Sequence, residues 1–518
     1  MTTHNIEHDP TRRPYDLLVI GGGISGLSTA WQAARSGLRV AVVDRGDLGA
    51  ETSSASTKLV HGGLRYLATG SAGLVWENHA ERRALAERVA PHLVRPMPFL
   101  LPLYRGGPHG PAKIGAGMVT YSALSGFHDG LGRLVGPRRA RQMAPELRTT
   151  GLRSCGLYHD HQMNDSRLAI MVARAARRAG ALLLNHTEVT ALRTTHGQVS
   201  GAELIDRLDG TEFGIDAHAV VNATGPWVDT LRRLEDPTAE PSVRLSKGAH
   251  LVMRTGHRWQ SALVVPVDKV RVSFAVPWEG HLLLGTTDAT YTGDPATVAC
   301  TQEDADQIRS ELAPALRADQ LNAERIAYSF AGLRVLPGRP GQDSARAPRE
   351  TVVTVGPGGM ISVAGGKWTT FRRIGAQVLD QVRRRLPAVV PDRTTVPVPG
   401  VAQPQAVARL LRSGVPPLPA DVAEHLATHY GALSHDVLSY VRSAPKLLDR
   451  IHPDGPDIWA QAVYGHTHEW ARTVDDVLRR RTTVTVRGLE TPEIRQRTAQ
   501  LLASPPCGSS RDSEALTG

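Results

Sequence analysis

Apolar positions in this chain fall into short runs broken by glycine, and the first run sets the pattern. Residues 15–20, Tyr-Asp-Leu-Leu-Val-Ile, are too few for a helix and stop at Gly21–Gly23, which predicts a buried strand. A helical stretch is predicted from Ile24 to about Ser36. Gly37 ends it, and residues 38–43, Leu-Arg-Val-Ala-Val-Val, predict a second buried strand. Residues 15–44 therefore read as one β-α-β unit. Further strands are expected at 181–184, 219–222, 263–267, 281–284, 351–355 and 360–363, with helices at 74–89, 166–178, 302–312 and 368–385. The pattern is mixed α/β with no internal repeat.

Proline then changes the picture. Eight of the 33 residues from 387 to 419 are proline, a density that interrupts regular structure and marks a junction. Beyond it, residues 423–430, 435–442, 458–478 and 492–502 lack strand alternation, so a small helical domain is expected over 420–503. The polar ends, 1–13 and 504–518, are expected to be disordered tails.

Composition narrows the class. A chain of 518 residues exceeds one core, and 41% hydrophobic with 21% charged residues is ordinary for a globular protein. No apolar run approaches the ~18–20 residues of a membrane-spanning helix. Cys155, Cys300 and Cys507 form no CxxC pair, which fits a reducing compartment, and residues 1–14 lack the apolar stretch of a secretory signal, so the cytoplasm is expected. Sixty basic against fifty acidic residues give a net charge of +10. Only six of the sixty are lysine (Lys58, Lys113, Lys247, Lys269, Lys367, Lys446), so the excess is an arginine bias. No aromatic-interleaved basic run or Cys/His finger accompanies it, and no nucleic-acid partner is expected. Residues 138–141 and 479–481, both arginine-rich, read as solvated helix faces.

The candidate chemistry begins at Gly21-x-Gly23-x-x-Gly26, which follows a strand, opens a helix and has Asp44 at the end of the next strand. Gly21 permits the tight turn, Gly23 lets backbone approach a pyrophosphate, and Gly26 allows close helix packing. The helix start, with Ser25, offers N–H groups to phosphate, and Asp44 would accept from the adenosine ribose. FAD and NAD share this fingerprint, and no second one occurs. His425 and His429 have the i, i+4 spacing of a metal pair, but no glutamate follows His425 as in HExxH, so no metal is expected.

The segment 52–67, TSSASTKLVHGGLRYL, resembles the hallmark of the FAD-dependent, aerobic glycerol-3-phosphate dehydrogenases, within the amino-acid-oxidase-like flavoproteins. It is joined in the family's order by YHDHQMNDSRL (158–168), VVNATGPWVD (220–229), LSKGAHLV (245–252), GTTDATYTGD (285–294), AGLRVLP (331–337), GGKWTTFR (365–372) and EWARTVDDVLRRRT (469–482). Trp368, His161 and Ser122 depart from the family pattern, and His161 is expected to alter packing near the cofactor.

The resemblance implies a Rossmann-type FAD-binding domain over 14–75, 145–245 and 325–386. It also implies a mixed-sheet substrate or cap domain over 76–144 and 246–324, and the helical domain beyond the linker. It implies oxidation of sn-glycerol 3-phosphate to dihydroxyacetone phosphate, with FAD as cofactor and a membrane quinone as acceptor. A soluble oxidase that makes hydrogen peroxide is the alternative, and another amino-acid-oxidase-like flavoenzyme a further one. Arg334 and Arg65 would cradle the phosphate, with Tyr66 and Lys367 completing the pocket. His61 or His250 would take the hydroxyl proton, and the residues leave open which. Thr52, Ser53 and Ser54 would serve the pyrophosphate or ribityl chain, and Ala223 and Gly225 the adenine side. Gly366, Lys367, Trp368 and Thr369, at a helix start, would face the flavin's N1–C2 edge. Contact with anionic lipid on the inner face of the cell membrane is expected to be peripheral, with 112–127 beside the 138–141 arginines as the candidate surface. A homodimer is the working expectation.

Overall fold

The computed structural model describes residues 13–63, 72–107, 110–268, 271–338 and 351–506. The strand Tyr15–Ile20 lies at the centre of an eight-stranded sheet, with Val40–Val43 and Glu212–Asn222 parallel on either side. Leu182–Leu184 and Ile361–Gly365 extend it in parallel, and Thr351–Val355 closes one edge antiparallel. The apolar residues of Tyr15–Ile20 and Val40–Val43 are buried on both faces, as a parallel sheet covered by helices requires. The covering helices include Ile24–Arg35, Asp165–Arg178 and Phe371–Arg385, whose apolar stripes share one core with the sheet.

A ten-stranded, almost wholly antiparallel sheet forms the second layer, its longest pairings being Val243–Arg254 with Ile326–Pro337 and Val94–Tyr104 with Leu152–Met163. The strands Leu152–Met163 and Ile326–Pro337, in the segments 145–245 and 325–386, both pair in this second sheet. The two-residue strand Leu59–Val60 also joins this sheet, so the chain from Tyr15 to Val60 passes from one sheet to the other. That passage brings the Gly-rich turn and the hallmark segment together at the seam.

Most predicted elements occur within a few residues. The region 458–478 is a difference: Trp459–His468 is helical, and the chain then breaks before a π-helical turn at Asp476–Arg481. The break has a cause. Glu469 is fully buried against Arg167, and Trp470 takes a left-handed φ of 57°, which no continuing helix tolerates. The proline-rich 387–419 is not wholly irregular either: Pro404–Arg412 is a helix whose Val407, Ala408 and Leu411 join the main core.

Candidate functional site

A cavity of about 640 Å³ runs along the seam between the two sheets. Its size suits a large organic ligand, since such sites hold about 300–1,000 Å³. One end is the β-α-β turn. Gly21 adopts φ 108°, and a Cβ there would lie 2.5 Å from the Ala223 carbonyl oxygen, so the turn admits no side chain. A Cβ at Gly26 would overlap the Gly21 carbonyl, so Gly26 packs the helix and does not line the cavity.

The polar residues at this end are partly committed. Asp44 lines the cavity but accepts from Gly22 N–H at 2.6 Å and Gly46 N–H at 2.8 Å, and burial raises its carboxyl against the pull of those two bonds. Each carboxylate oxygen keeps a second lone pair for a ribose hydroxyl. Ser53 Oγ accepts from Ile24 N–H at 3.0 Å, occupying one of the helix-start donors. Ser54 does not line the cavity: it is buried, and its hydroxyl donates to the Gly49 carbonyl within its own loop. Thr52 lines the wall and donates to the Leu333 carbonyl at 2.8 Å, tying the hallmark loop to the strand that carries Arg334. Ser25, Ala223 and Gly225 line the same region. The guanidinium of Arg45 lies 3.8 Å from the centroid of the Trp227 ring, and both line the cavity. Arg45 was not singled out from the sequence, although it adjoins Asp44, whereas Trp227 lies in the 220–229 motif with Ala223 and Gly225.

The other end gathers the residues fit for chemistry. His250 is 2% exposed, stacks on Phe330 with ring centroids 4.9 Å apart, and places Nε2 2.9 Å from Thr57 Oγ1. Its Nδ1 is buried without a hydrogen-bond partner among the described residues, which fits a polar group of a bound ligand. Burial first, then Arg334 and Lys58, hold its pKa well below the usual imidazole value, so it is neutral at pH 7. His61 lines the cavity too, with its backbone N–H 3.3 Å from Thr369 Oγ1. The next residue, Gly62, donates to Asp160 Oδ1 at 2.9 Å, and Tyr121 O–H donates to Asp160 Oδ2 at 2.8 Å. Asp160, buried and paired with Arg82, thus pins the turn that carries His61. His161 is buried in the second sheet and does not line the cavity. Ser122 stays within its helix region, donating to Met118 O and accepting from Gly132 N–H.

Arg334 spans the seam. Its Nη2 donates to Thr286 Oγ1 at 2.9 Å and to Thr287 O at 3.2 Å, and Asp288 lies 3.6 Å away. A Cβ on Gly248 would meet Nη2 at 2.5 Å, so that glycine makes room for the guanidinium. Arg65 and Tyr66 lie outside the described residues. Gly365 and Gly366, at φ 77° and 87°, turn the chain from the strand Ile361–Gly365 into the turn Trp368–Thr370 and the helix Phe371–Arg385. Gly366, Lys367, Trp368 and Thr369 line the cavity, and Trp368 Nε1 donates to Ser53 O at 3.1 Å.

The 479–481 arginines are not a solvated face. Arg481 is fully buried and forks onto both oxygens of Asp47 at 2.7 and 2.8 Å, and Arg480 joins it at 2.5 Å.

Comparison with known proteins follows this geometry. Residues 16–372 match the FAD dependent oxidoreductase family, and residues 364–507 match the C-terminal domain of alpha-glycerophosphate oxidase. A glycerol-3-phosphate dehydrogenase of Synechocystis is 34% identical over 91% of this chain and 89% of its own. One from Mycobacterium leprae is 35% identical over 91% and 81%. In three dimensions the chain resembles the glycerol-3-phosphate dehydrogenase of Bacillus halodurans, solved in complex with FAD. The TM-score is 0.75, with 28% identity and coverage of 95% of this chain and 94% of that one.

Proposed function

From the premise that the chain belongs to the FAD-dependent glycerol-3-phosphate dehydrogenase family, with FAD as its cofactor, we propose that it oxidises sn-glycerol 3-phosphate to dihydroxyacetone phosphate and passes the electrons to a membrane quinone. The observation that carries this reading is the pairing, in one cavity, of a buried neutral imidazole with an open nitrogen and an arginine fork. When bound, FAD would supply the acceptor for the hydride that leaves C2, and the cavity residues Gly21, Asp44, Thr52 and Gly366 would hold it. Arg334 binds the phosphate dianion, its fork offering parallel N–H groups while Thr286, Thr287 and Asp288 fix its plane. His250 Nδ1 takes the C2 hydroxyl proton in the tautomer whose Nε2–H donates to Thr57 Oγ1. His61, Arg65, Tyr66 and Lys367 complete the substrate pocket. The N–H groups of 365–369 and the adjoining helix start favour negative charge at that end. The division into nucleotide-binding, cap and helical domains belongs to the same reading.

No helix among the described residues is long and apolar enough to cross a membrane. The proposal takes the surface around Pro111–Leu124 as the membrane contact, since Val119, Phe127, Leu131 and Leu134 are exposed in a stretch that also exposes Lys113, Arg133, Arg138 and Arg139. Apolar side chains among cations suit an anionic lipid surface.

Steady-state turnover of glycerol 3-phosphate with a short-chain quinone, against oxygen uptake and peroxide release, tests the acceptor. Fast quinone reduction with little peroxide is expected. Peroxide release at the quinone rate would transfer the assignment to an oxidase. Flavin reduced anaerobically by glycerol or amino acids as readily as by glycerol 3-phosphate would remove the substrate assignment itself.

A further inference from the structure

A carboxylate and two imidazoles converge where the turn between the strands Val272–Trp278 and His281–Gly285 meets the helix Ala420–Tyr430. No glutamate follows His425 in the HExxH pattern, but the fold brings one: the ligand atoms of Glu279, His425 and His429 all lie within 4.8 Å of one another.

Their neighbours fix where the protons sit. His429 Nδ1 is 2.9 Å from the His425 carbonyl oxygen, which only accepts, so Nδ1 carries the proton and Nε2 presents a lone pair. That nitrogen lies 3.4 Å from Glu279 Oε1, and its lone pair accepts from Asn164 Nδ2 at 3.0 Å, a hydrogen bond that an incoming metal ion displaces. His425 Nε2 is 2.8 Å from Asp457 Oδ1, so it carries the proton and Nδ1 turns its lone pair toward Glu279 Oε2 at 3.9 Å. Two imidazole nitrogens thus face the two oxygens of one carboxylate. Arg487 pairs with Oε2 at 3.0 Å.

We propose that Glu279, His425 and His429 bind one divalent transition-metal ion, zinc by preference, which staples the cap-side turn to the C-terminal helices. A tetrahedral zinc with bonds of about 2.0–2.1 Å sets its ligand atoms roughly 3.4 Å apart. The His429–Glu279 separation of 3.4 Å already meets this. The second nitrogen of each ring is held as metal-bound imidazoles usually are, one by a carboxylate and one by a backbone carbonyl. Two neutral imidazoles and one carboxylate select zinc over magnesium or calcium. A single proton shared among the three groups would hold the same arrangement, and it predicts no metal.

The test uses the full-length, tag-free holoenzyme equilibrated with zinc chloride and gel-filtered. About one equivalent of zinc per chain should remain, and the thermal midpoint should rise with free zinc but not with magnesium chloride. Asp457→Asn, which weakens the outer hydrogen bond to His425 and keeps an oxygen for Thr483, should weaken zinc binding about 10- to 100-fold. His429→Gln should remove the equivalent while flavin content stays that of the wild type. Wild-type protein that keeps no more zinc than His429→Gln, or a midpoint indifferent to free zinc, would overturn the site. If the variants do not fold, the zinc content and midpoint of the wild type decide alone.

Discussion

On the proposed function, substituting Arg334 with alanine removes the fork that binds phosphate. A hydrogen bond from a charged donor contributes about 1.5–3 kcal/mol, so a two-pronged contact is worth roughly 3–6 kcal/mol when desolvated. The Arg334 side chain is 28% exposed, so water recovers part of this, and about 2–4 kcal/mol is the reasonable loss. At about 1.4 kcal/mol per decade, kcat/KM for glycerol 3-phosphate should fall roughly 30- to 1,000-fold. Turnover of glycerol, which has no phosphate, should change less than about threefold, because its transition state never used the fork. The assay is anaerobic flavin bleaching with each substrate, read beside the visible spectrum of the resting enzyme to show that FAD remains bound. Equal losses for the two substrates would mean that Arg334 organises the cavity and does not bind phosphate. An unchanged kcat/KM for glycerol 3-phosphate would remove Arg334 from the site.

Other outcomes follow from the same geometry. Gly21→Ala forces a Cβ to within 2.5 Å of the Ala223 carbonyl at φ 108°, so the purified protein should lose most of its flavin, seen as a collapse of the visible-to-ultraviolet absorbance ratio. Thr57→Val removes the hydrogen bond that orients His250; kcat should fall about 5- to 10-fold with KM nearly constant, and a pure KM effect would contradict the assignment. Burial, aided by neighbouring arginines, holds His79 and His92 down to about 4 and His161 down to about 3, and pushes His250 down as well. Each folded value is depressed below the unfolded ~6.5, so the stability these neutral rings contribute is complete above about pH 6.5 and is lost as pH falls toward the folded values. The urea midpoint should drop steeply from pH 6.5 to 4.5, and one that is flat over this interval would show that these rings are solvated.

The parts of the fold that were legible are those written locally. The β-α-β unit needs only contiguous apolar runs and a glycine turn, and it occurs within two residues of its reading. The strand Val94–Tyr104 was missed because its prolines argue against a strand. Pro96, Pro98 and Pro102 all fall on one alternating set, so the missing N–H groups share an edge and the other edge keeps its ladder to Leu152–Met163. That partner was unread for the opposite reason: its polar residues, among them Asp160 and Gln162, become tolerable only through a buried pairing with Arg82 and a bond to the Pro277 carbonyl. In the site, His250 and Arg334 were found through the motifs that hold them, whereas Thr57 and Asp160 act on residues distant in sequence. Glu279 and His425 stand 146 positions apart (425 minus 279), and no spacing rule reaches that far.

The arginine bias gains a positional meaning from the same contacts. Arg82, Arg167 and Arg481 are each buried and each grips a carboxylate from another element: Asp160, Glu469 and Asp47. Arg167 and Arg481 make two-pronged contacts, the former at 2.6 and 2.8 Å and the latter at 2.7 and 2.8 Å. A lysine in either place reaches one oxygen as a point charge and leaves the other to be desolvated unpaired. Asp47 also lines the cavity three residues after Asp44, so the loop at this end of the cavity is clamped by Arg480 and Arg481 from the C-terminal region. A surplus that invites a nucleic acid when counted over the whole chain is, at these positions, spent inside it: the fork geometry that suits arginine to a phosphate makes it a rivet at 167 and 481.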